Sequence, residues 1–206
     1  MKTIMVDMDE VLTEKNFSRL IEEYLGYIPD YDSLKGYYLQ DLLKDKKEDF
    51  FKYFKDINMY KYAKLLPDCY DTLKELSKIY EIYICTDYIF REIIEYAGNN
   101  LKNKYEFLYK ELDFIKPQNY IFTADKSIIN CDIKIDDKLE NIKGAKTKLL
   151  FTAYHNKNID DKELDKEGIV RVNNWKEIGN ILINNKKVTS NNDILNLHIY
   201  KKTKKK

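Results

Sequence analysis

Six short runs of β-branched and aromatic residues punctuate the chain, at Thr3–Val6, Glu81–Cys85, Tyr120–Phe122, Ile133–Ile135, Lys148–Phe151 and Ile169–Val172, most of them separated by segments of helical periodicity. That rhythm restricts the fold more than any other feature. Strands alternating with helices make a parallel α/β sheet whose faces the helices cover. The run Thr3-Ile4-Met5-Val6 has no apolar/polar alternation, as suits a central strand buried on both sides, and it ends on acids instead of a turn glycine. In open α/β sheets ligands bind outside the carboxyl ends of the strands, so the polar residues just after these runs are the first places to look for function.

The runs are unevenly spaced. Phe17–Leu66, between the first and second, is helix-like, with Leu20, Ile21, Tyr24 and Leu25, then Leu39, Leu42 and Leu43, at helical spacing. This predicts a small helical cap over 16–66, inserted into a Rossmann-like core formed by 1–15 and 67–185, with 186–206 as a basic tail. Pro67 followed by Asp68 reads as the capped start of a crossover helix over Asp68–Ile79. Further helices are predicted over Phe90–Ala97, ended by Gly98; over Lys104–Leu112, with Tyr105, Leu108, Tyr109 and Leu112 as its apolar stripe; and over Trp175–Leu182, with Trp175 as a core anchor.

Composition narrows the class. With 206 residues, 44% of them hydrophobic, and only six Gly and three Pro, the chain is excluded from the disordered, collagen-like and disulfide-scaffold classes, and it is long enough for one domain plus an insertion. The 36 Lys and Arg against 35 Asp and Glu give a net charge of +1 and no general attraction to nucleic acid polymers. The lysines concentrated from Lys186 to Lys206 make the tail basic, and the run Lys201–Lys206 reads as a solvated end. Cys69, Cys85 and Cys131 are odd in number and lack CxxC spacing; the last two sit in apolar runs that suggest burial, and the set reads as reduced thiols of a cytoplasmic protein. No apolar stretch is long enough to span a membrane. Only three Arg accompany many Lys, Ile, Asn and Tyr, as AT-rich codons produce, so the abundance of tyrosine is not itself a signal.

The sharpest chemical feature is Val6-Asp7-Met8-Asp9-Glu10-Val11-Leu12, in which an apolar strand delivers two carboxylates two residues apart. Clustered carboxylates repel unless a cation joins them, and Mg²⁺, which takes hard oxygen ligands and leaves room for a phosphate, is the usual partner. Ile135-Asp136-Asp137 repeats the arrangement, so Asp7, Asp9, Asp136 and Asp137 could converge on one cation. Cys85-Thr86 and Lys104 or Lys126 supply a hydroxyl and an ammonium for an anion. These groups together suit phosphoryl transfer. His155 and His198 are too far apart, and without Cys neighbours, for a zinc pattern, and His155 reads as structural.

With these residues in order, the sequence resembles the haloacid dehalogenase superfamily, whose four motifs are a DxD strand end, a Ser/Thr strand end, a Lys and a paired-acid strand end. Within it, Asp7-Met8-Asp9-Glu10-Val11-Leu12, Ile84-Cys85-Thr86, Lys104-Tyr105, Asp125-Lys126-Ser127, Ile135-Asp136-Asp137, Leu150-Phe151-Thr152-Ala153-Tyr154-His155-Asn156 and Asn174-Trp175-Lys176-Glu177-Ile178 resemble the 5′(3′)-deoxyribonucleotidases of cytosolic type C. The resemblance covers Thr3 to Leu182. It implies a cytoplasmic, Mg²⁺-dependent phosphomonoesterase for small nucleoside monophosphates, most of all deoxyribonucleotides. In that reading Asp7 is the nucleophile that becomes an aspartyl-phosphate, and Asp9 is the general acid and base. The metal takes the Asp7 carboxylate, the Asp9 carbonyl and Asp137, with Asp136 nearby.

Thr86 and Lys104 would hold phosphate oxygens; Lys104-Tyr105 at a helix start matches the family's lysine, and Lys126 resembles a second substrate-side lysine. Gly36-Tyr37-Tyr38 stands where relatives place aromatics against base and sugar, and Phe17 is a further candidate contact. Asp87 departs from the animal enzymes, which carry a small hydroxyl residue there; it is read as turning away to cap the next helix. An alternative is a phosphatase of the same superfamily for another small phosphorylated metabolite. A true dehalogenase dispenses with the second Asp, and a phosphorylatable receiver domain lacks both the cap and a group placed like Asp9. Base preference, ribose discrimination and association into a homodimer are open at the level of sequence.

Overall fold

A computed structural model describes residues 1–34 and 36–184. In chain order its regular elements are β1 (Lys2–Val6), α1 (Asn16–Leu25), α2 (Lys47–Phe54), α3 (Cys69–Ser77), β2 (Tyr80–Thr86), α4 (Ala97–Glu111), β3 (Tyr120–Phe122), β4 (Ile133–Asp136), α5 (Leu139–Ile142), β5 (Thr147–Phe151), α6 (Asp161–Lys166), β6 (Ile169–Val172) and α7 (Trp175–Gly179). Short 3-10 turns at Tyr31–Ser33, Leu39–Lys46, Arg91–Tyr96, Pro117–Asn119 and Lys126–Ile128 join them.

The six strands form one parallel sheet in the order β3-β2-β1-β4-β5-β6, the α/β architecture expected from the sequence. After β3 the chain crosses back over the sheet to β4, so the order reverses beside β1, the place where open α/β sheets bind ligands at the strands' carboxyl ends. Strand β1 is buried from Ile4 to Val6 without alternation. Its register explains the site: Val6 pairs with Ile84 on one side and Ile135 on the other, so the residues that follow, Asp7 and Asp136, leave the sheet side by side, with Thr86 one step beyond on β2.

Residues 14–65 form an excursion whose two ends meet. Thr13 and Leu65 make an antiparallel bridge, Leu66 N–H donates to the Leu12 carbonyl at 2.8 Å, and Glu14 N–H donates to the Lys64 carbonyl at 3.1 Å. Inside the excursion α1 and α2 pack through aromatic rings: Phe17 lies 5.8 Å from Phe50 and 5.7 Å from Phe54, and Phe90, from the segment after β2, closes the cluster 5.0 Å from Phe17. The sequence candidate Phe17 therefore sits half-buried among packing rings.

Several local expectations change. Helix α4 runs unbroken from Ala97 to Glu111, so Gly98 ends nothing and Lys104 is mid-helix; a Cβ at Gly98 would meet no atom within 4 Å. Its buried face carries Lys104, Phe107 and Leu108, whereas Tyr105 and Tyr109 are exposed and stack on each other at 6.1 Å. The face is rotated from the predicted stripe because a lysine, needed at the sheet's end, occupies an inward position. Asp68 stands at the start of α3, but its backbone is left-handed (φ 62°) and its side chain makes no capping bond. Cys69 is fully buried, and Cys131, expected inside, is only partly so. Trp175 is the expected anchor, wholly buried, with its indole N–H donating to the Val11 carbonyl at 2.8 Å. The tail 186–206 lies outside the described residues. Among the described residues no helix is long and apolar enough to cross a membrane.

Candidate active site

The carboxyl ends of β1, β2 and β4 gather Asp7, Thr86, Asp136 and Asp137, all of them buried. One carboxylate oxygen from each of Asp7, Asp136 and Asp137 can be chosen such that all lie within 4.8 Å of one another. Such a cluster is costly without positive charge, since each carboxylate is stripped of water beside its like. Burial holds the Asp7 carboxyl well above the usual carboxylate range, against the pull of Lys126, and burial raises Asp137 too, against the pull of His155.

Two lysines divide the acids between them. Lys126, buried in the 3-10 turn Lys126–Ile128, donates to Asp7 Oδ1 and, at 2.9 Å, to Asp136 Oδ2. Burial alone would discharge it; Asp136 and Asp7 overrule that effect and hold it above the ordinary lysine range. Its turn is fixed by Asp125, whose carboxylate accepts from Ser127 N–H at 3.0 Å. Lys104 reaches in from α4 instead, donating to Asp9 Oδ2, to Thr86 Oγ1 at 2.7 Å and to the Asp87 carbonyl.

The remaining acids are held by groups to which the sequence assigns no part in the site. Asp136 accepts on Oδ1 from Lys138 N–H at 2.9 Å and Asn141 Nδ2 at 3.0 Å, so donors occupy both of its oxygens. Among the described residues the contacts of Asp7 and Asp137 fall on one oxygen each: Lys126 on the first, and His155 Nε2, 3.0 Å from Oδ2, on the second. His155 is thus a neighbour of the acid cluster as well as a structural residue. Asn156 ties the loop after β5 to the same point, donating to the Asp137 and Phe151 carbonyls at 2.7 Å. Lys134, fully buried on the Asp136 face of β4, donates to the Lys126 carbonyl at 3.2 Å and the Lys143 carbonyl at 3.0 Å. Tyr60 donates to Asp9 Oδ1 at 2.7 Å. Nothing in the local sequence marks Lys134 or Tyr60; their roles depend on contacts that exist only in the fold.

Asp87 turns its carboxylate back onto its own chain, accepting from Ile89 N–H at 2.9 Å. The expected cap is thus an Asx turn two residues short of the 3-10 segment, while the Asp87 carbonyl faces the lysine. The excursion reaches the acids through Tyr37, whose ring lies 4.8 Å from His155 with Lys138 Nζ 4.6 Å from its centroid. Tyr154 donates to the Tyr37 carbonyl, and Tyr38 packs edge-on to Tyr37 at 5.5 Å.

The chemistry of this donor set fits a divalent cation of the Mg²⁺ type: all hard oxygens and, among the described residues, three buried carboxylates against one contacting lysine, with an oxygen free of hydrogen bonds on each of Asp7 and Asp137. The surrounding donors, Lys104, Lys126 and Thr86, suit a tetrahedral anion.

Comparison with known proteins agrees with this chemistry. Residues 1–188 match the family described as 5′ nucleotidase, deoxy (pyrimidine), cytosolic type C protein. A 5′(3′)-deoxyribonucleotidase of Bacillus subtilis strain 168 is 29% identical over 184 residues, spanning 86% of this chain and 96% of its own. Among solved structures, a haloacid dehalogenase-like hydrolase from Streptococcus pneumoniae superposes with a TM-score of 0.50 at 19% identity, over 86% of this chain and 96% of that one. A Bacillus subtilis protein assigned to the same hydrolases and crystallised with magnesium gives a TM-score of 0.52 at 12% identity, over 88% and 98%.

Proposed function

The chain belongs to the 5′ nucleotidase, deoxy (pyrimidine), cytosolic type C family, a phosphomonoester hydrolase of haloacid dehalogenase type, and on that footing we propose that it dephosphorylates deoxyribonucleoside monophosphates through an aspartyl-phosphate on Asp7 with the help of Mg²⁺. The observation that carries this reading is the division of the two aspartates between two lysines: Lys126 faces Asp7, and Lys104 faces Asp9 and Thr86. Two carboxylates two residues apart thereby have different partners, as a nucleophile and a proton carrier require.

In the first displacement an Asp7 oxygen bonds to phosphorus, the bond to the nucleoside oxygen breaks, and Asp9 gives that oxygen its proton. In the second, water attacks phosphorus, Asp9 recovers the proton, and the bond to Asp7 breaks to release inorganic phosphate. Lys104, Lys126 and the Thr86 hydroxyl hold phosphoryl oxygens and oppose the charge that builds on them. Asp7, Asp137 and the Asp9 carbonyl would hold Mg²⁺, with Asp136 orienting Lys126 and the strand end beside them. When bound, the cation supplies positive charge against the nucleophile and the phosphoryl group. Tyr37 and Tyr38 offer aromatic faces to base and sugar, while Phe17, packed against Phe50, Phe54 and Phe90, is the weaker candidate for such a contact. Substrate is a small nucleotide, and the site works in the cytoplasm in this reading.

The test is phosphate release from a panel of deoxyribo- and ribonucleoside monophosphates and sugar phosphates, with Mg²⁺ or with EDTA. Turnover of deoxyribonucleotides that EDTA abolishes, and that Asp7→Asn lowers by at least about 10³-fold, is expected. Turnover confined to sugar phosphates would overturn the nucleotide assignment.

A further inference from the structure

Asp9 carries the proton in the reaction proposed above, yet it is the most exposed of the four acids, its side chain 42% accessible at the end of a strand. A carboxyl that swings freely there would seldom point its proton at the leaving oxygen. Two donors restrict it, one per oxygen: Lys104 on Oδ2 and Tyr60 on Oδ1 at 2.7 Å. Lys104 arrives from the core and also serves Thr86. Tyr60 arrives from the excursion, and among the described residues its hydroxyl bonds to Asp9 alone.

The excursion's return path is built to present that hydroxyl. Asn58 accepts from Tyr60 N–H at 2.9 Å, Lys61 N–H donates to the Asn58 carbonyl at 3.1 Å, and Ala63 N–H donates to the Tyr60 carbonyl at 3.1 Å, so consecutive turns fix the backbone. The ring is 4% exposed, 5.9 Å from Phe107, with Lys104 Nζ 5.7 Å from its centroid. The phenol hydroxyl meets a carboxylate oxygen, so Tyr60 is the donor of the pair. A ring needed only for packing would be served as well by Phe, which has no hydroxyl to satisfy.

We propose that Tyr60 is a positioning residue which, together with Lys104, fixes the plane of the Asp9 carboxyl, so that the excursion sets the aim of the proton-carrying group. This rests on the reading of Asp9 as general acid and base.

The test compares kcat/KM for a deoxyribonucleoside monophosphate, whose leaving oxygen needs a proton, with that for p-nitrophenyl phosphate, whose leaving group does not. Tyr60→Phe is expected to lower the first by about 10- to 100-fold and the second by less than about threefold, with KM for the nucleotide changed less than about twofold. In an Asp9→Asn background the same substitution should add less than about twofold, since nothing remains to be aimed. Phe107→Leu, which loosens the same packing and spares the hydroxyl, should affect both substrates equally. Equal losses on both substrates for Tyr60→Phe, or losses that multiply with those of Asp9→Asn, would overturn the proposal. Asp9→Asn turning over the nucleotide like the native enzyme would instead overturn the reading of Asp9 on which it stands.

Discussion

Glu10 follows the second aspartate and differs from it in every physical respect. It adopts a left-handed backbone (φ 59°), uncommon for a residue with a Cβ, and its Oε2 is buried without a hydrogen-bond partner among the described residues. Burial, reinforced by Asp137, pushes its carboxyl up to about 7. A carboxyl whose folded value lies above its unfolded one binds more protons in the folded state, so stability falls as pH rises from about 4.5 to about 7. Asp7 and Asp137 are shifted the same way. Thermal melts in EDTA should therefore show a midpoint that drops by a few degrees between about pH 5 and about pH 8, and Glu10→Gln should flatten the drop around neutrality. A midpoint independent of pH would contradict the burial of this group. At this scale the sequence was informative where residue type and order carry chemistry: Asp7, Asp9, Asp136, Asp137, Thr86, Lys104 and Lys126 all arrive at one place. It was silent on Tyr60 and read His155 as structural only, since their contacts to the acids join positions far apart in the chain.

At the scale of elements, all six strands were legible as short runs rich in β-branched and aromatic residues, although β1 is continuously apolar through its buried part and β4 is not. Helix α4 was not: Gly98 reads as a stop, but in the helix's first turn it costs little, and the inward Lys104 disguises the buried face as polar. Lys134 in β4 hides for the same reason. Its ammonium lies wholly inside the protein and joins the turn carrying Lys126 to the segment after α5 through two carbonyls. Lys134→Met keeps most of the side chain's bulk and leaves both acceptors without this donor, which costs about 1–3 kcal/mol in denaturant unfolding. The same variant should lower kcat more than KM changes, because among the described residues the Lys126 carbonyl keeps only the bond from Ile129 N–H at 3.3 Å. Full stability with unchanged kcat would show that the two carbonyls find other donors.

Over the whole molecule, contacts across the crevice join the excursion to the core loop after β5: Lys157 with Asp32 at 2.7 Å, Tyr154 with the Tyr37 carbonyl, and Tyr37 against His155. If the excursion acts as a cap that closes over phosphate and opens to release nucleoside, a short thiol-reactive cross-linker between Asp32→Cys and Lys157→Cys should slow turnover at least about tenfold, with recovery when a cleavable linker is cut. Turnover unaffected by the closed linker would exclude gating by this motion. The long gap between the first two strands signals an insertion, but not which of its residues meet the core, since its packing rings and the rings near His155 are both aromatic. The bridge between Thr13 and Leu65 has a consequence for how such enzymes diversify. Because the excursion leaves and re-enters the core at neighbouring points, another segment of any length can replace it with little penalty in chain entropy to the sheet. Selectivity would then be an exchangeable cassette, subject to one condition: whatever is installed must again bring a hydroxyl to Asp9, or the new substrate is bound well and turned over slowly.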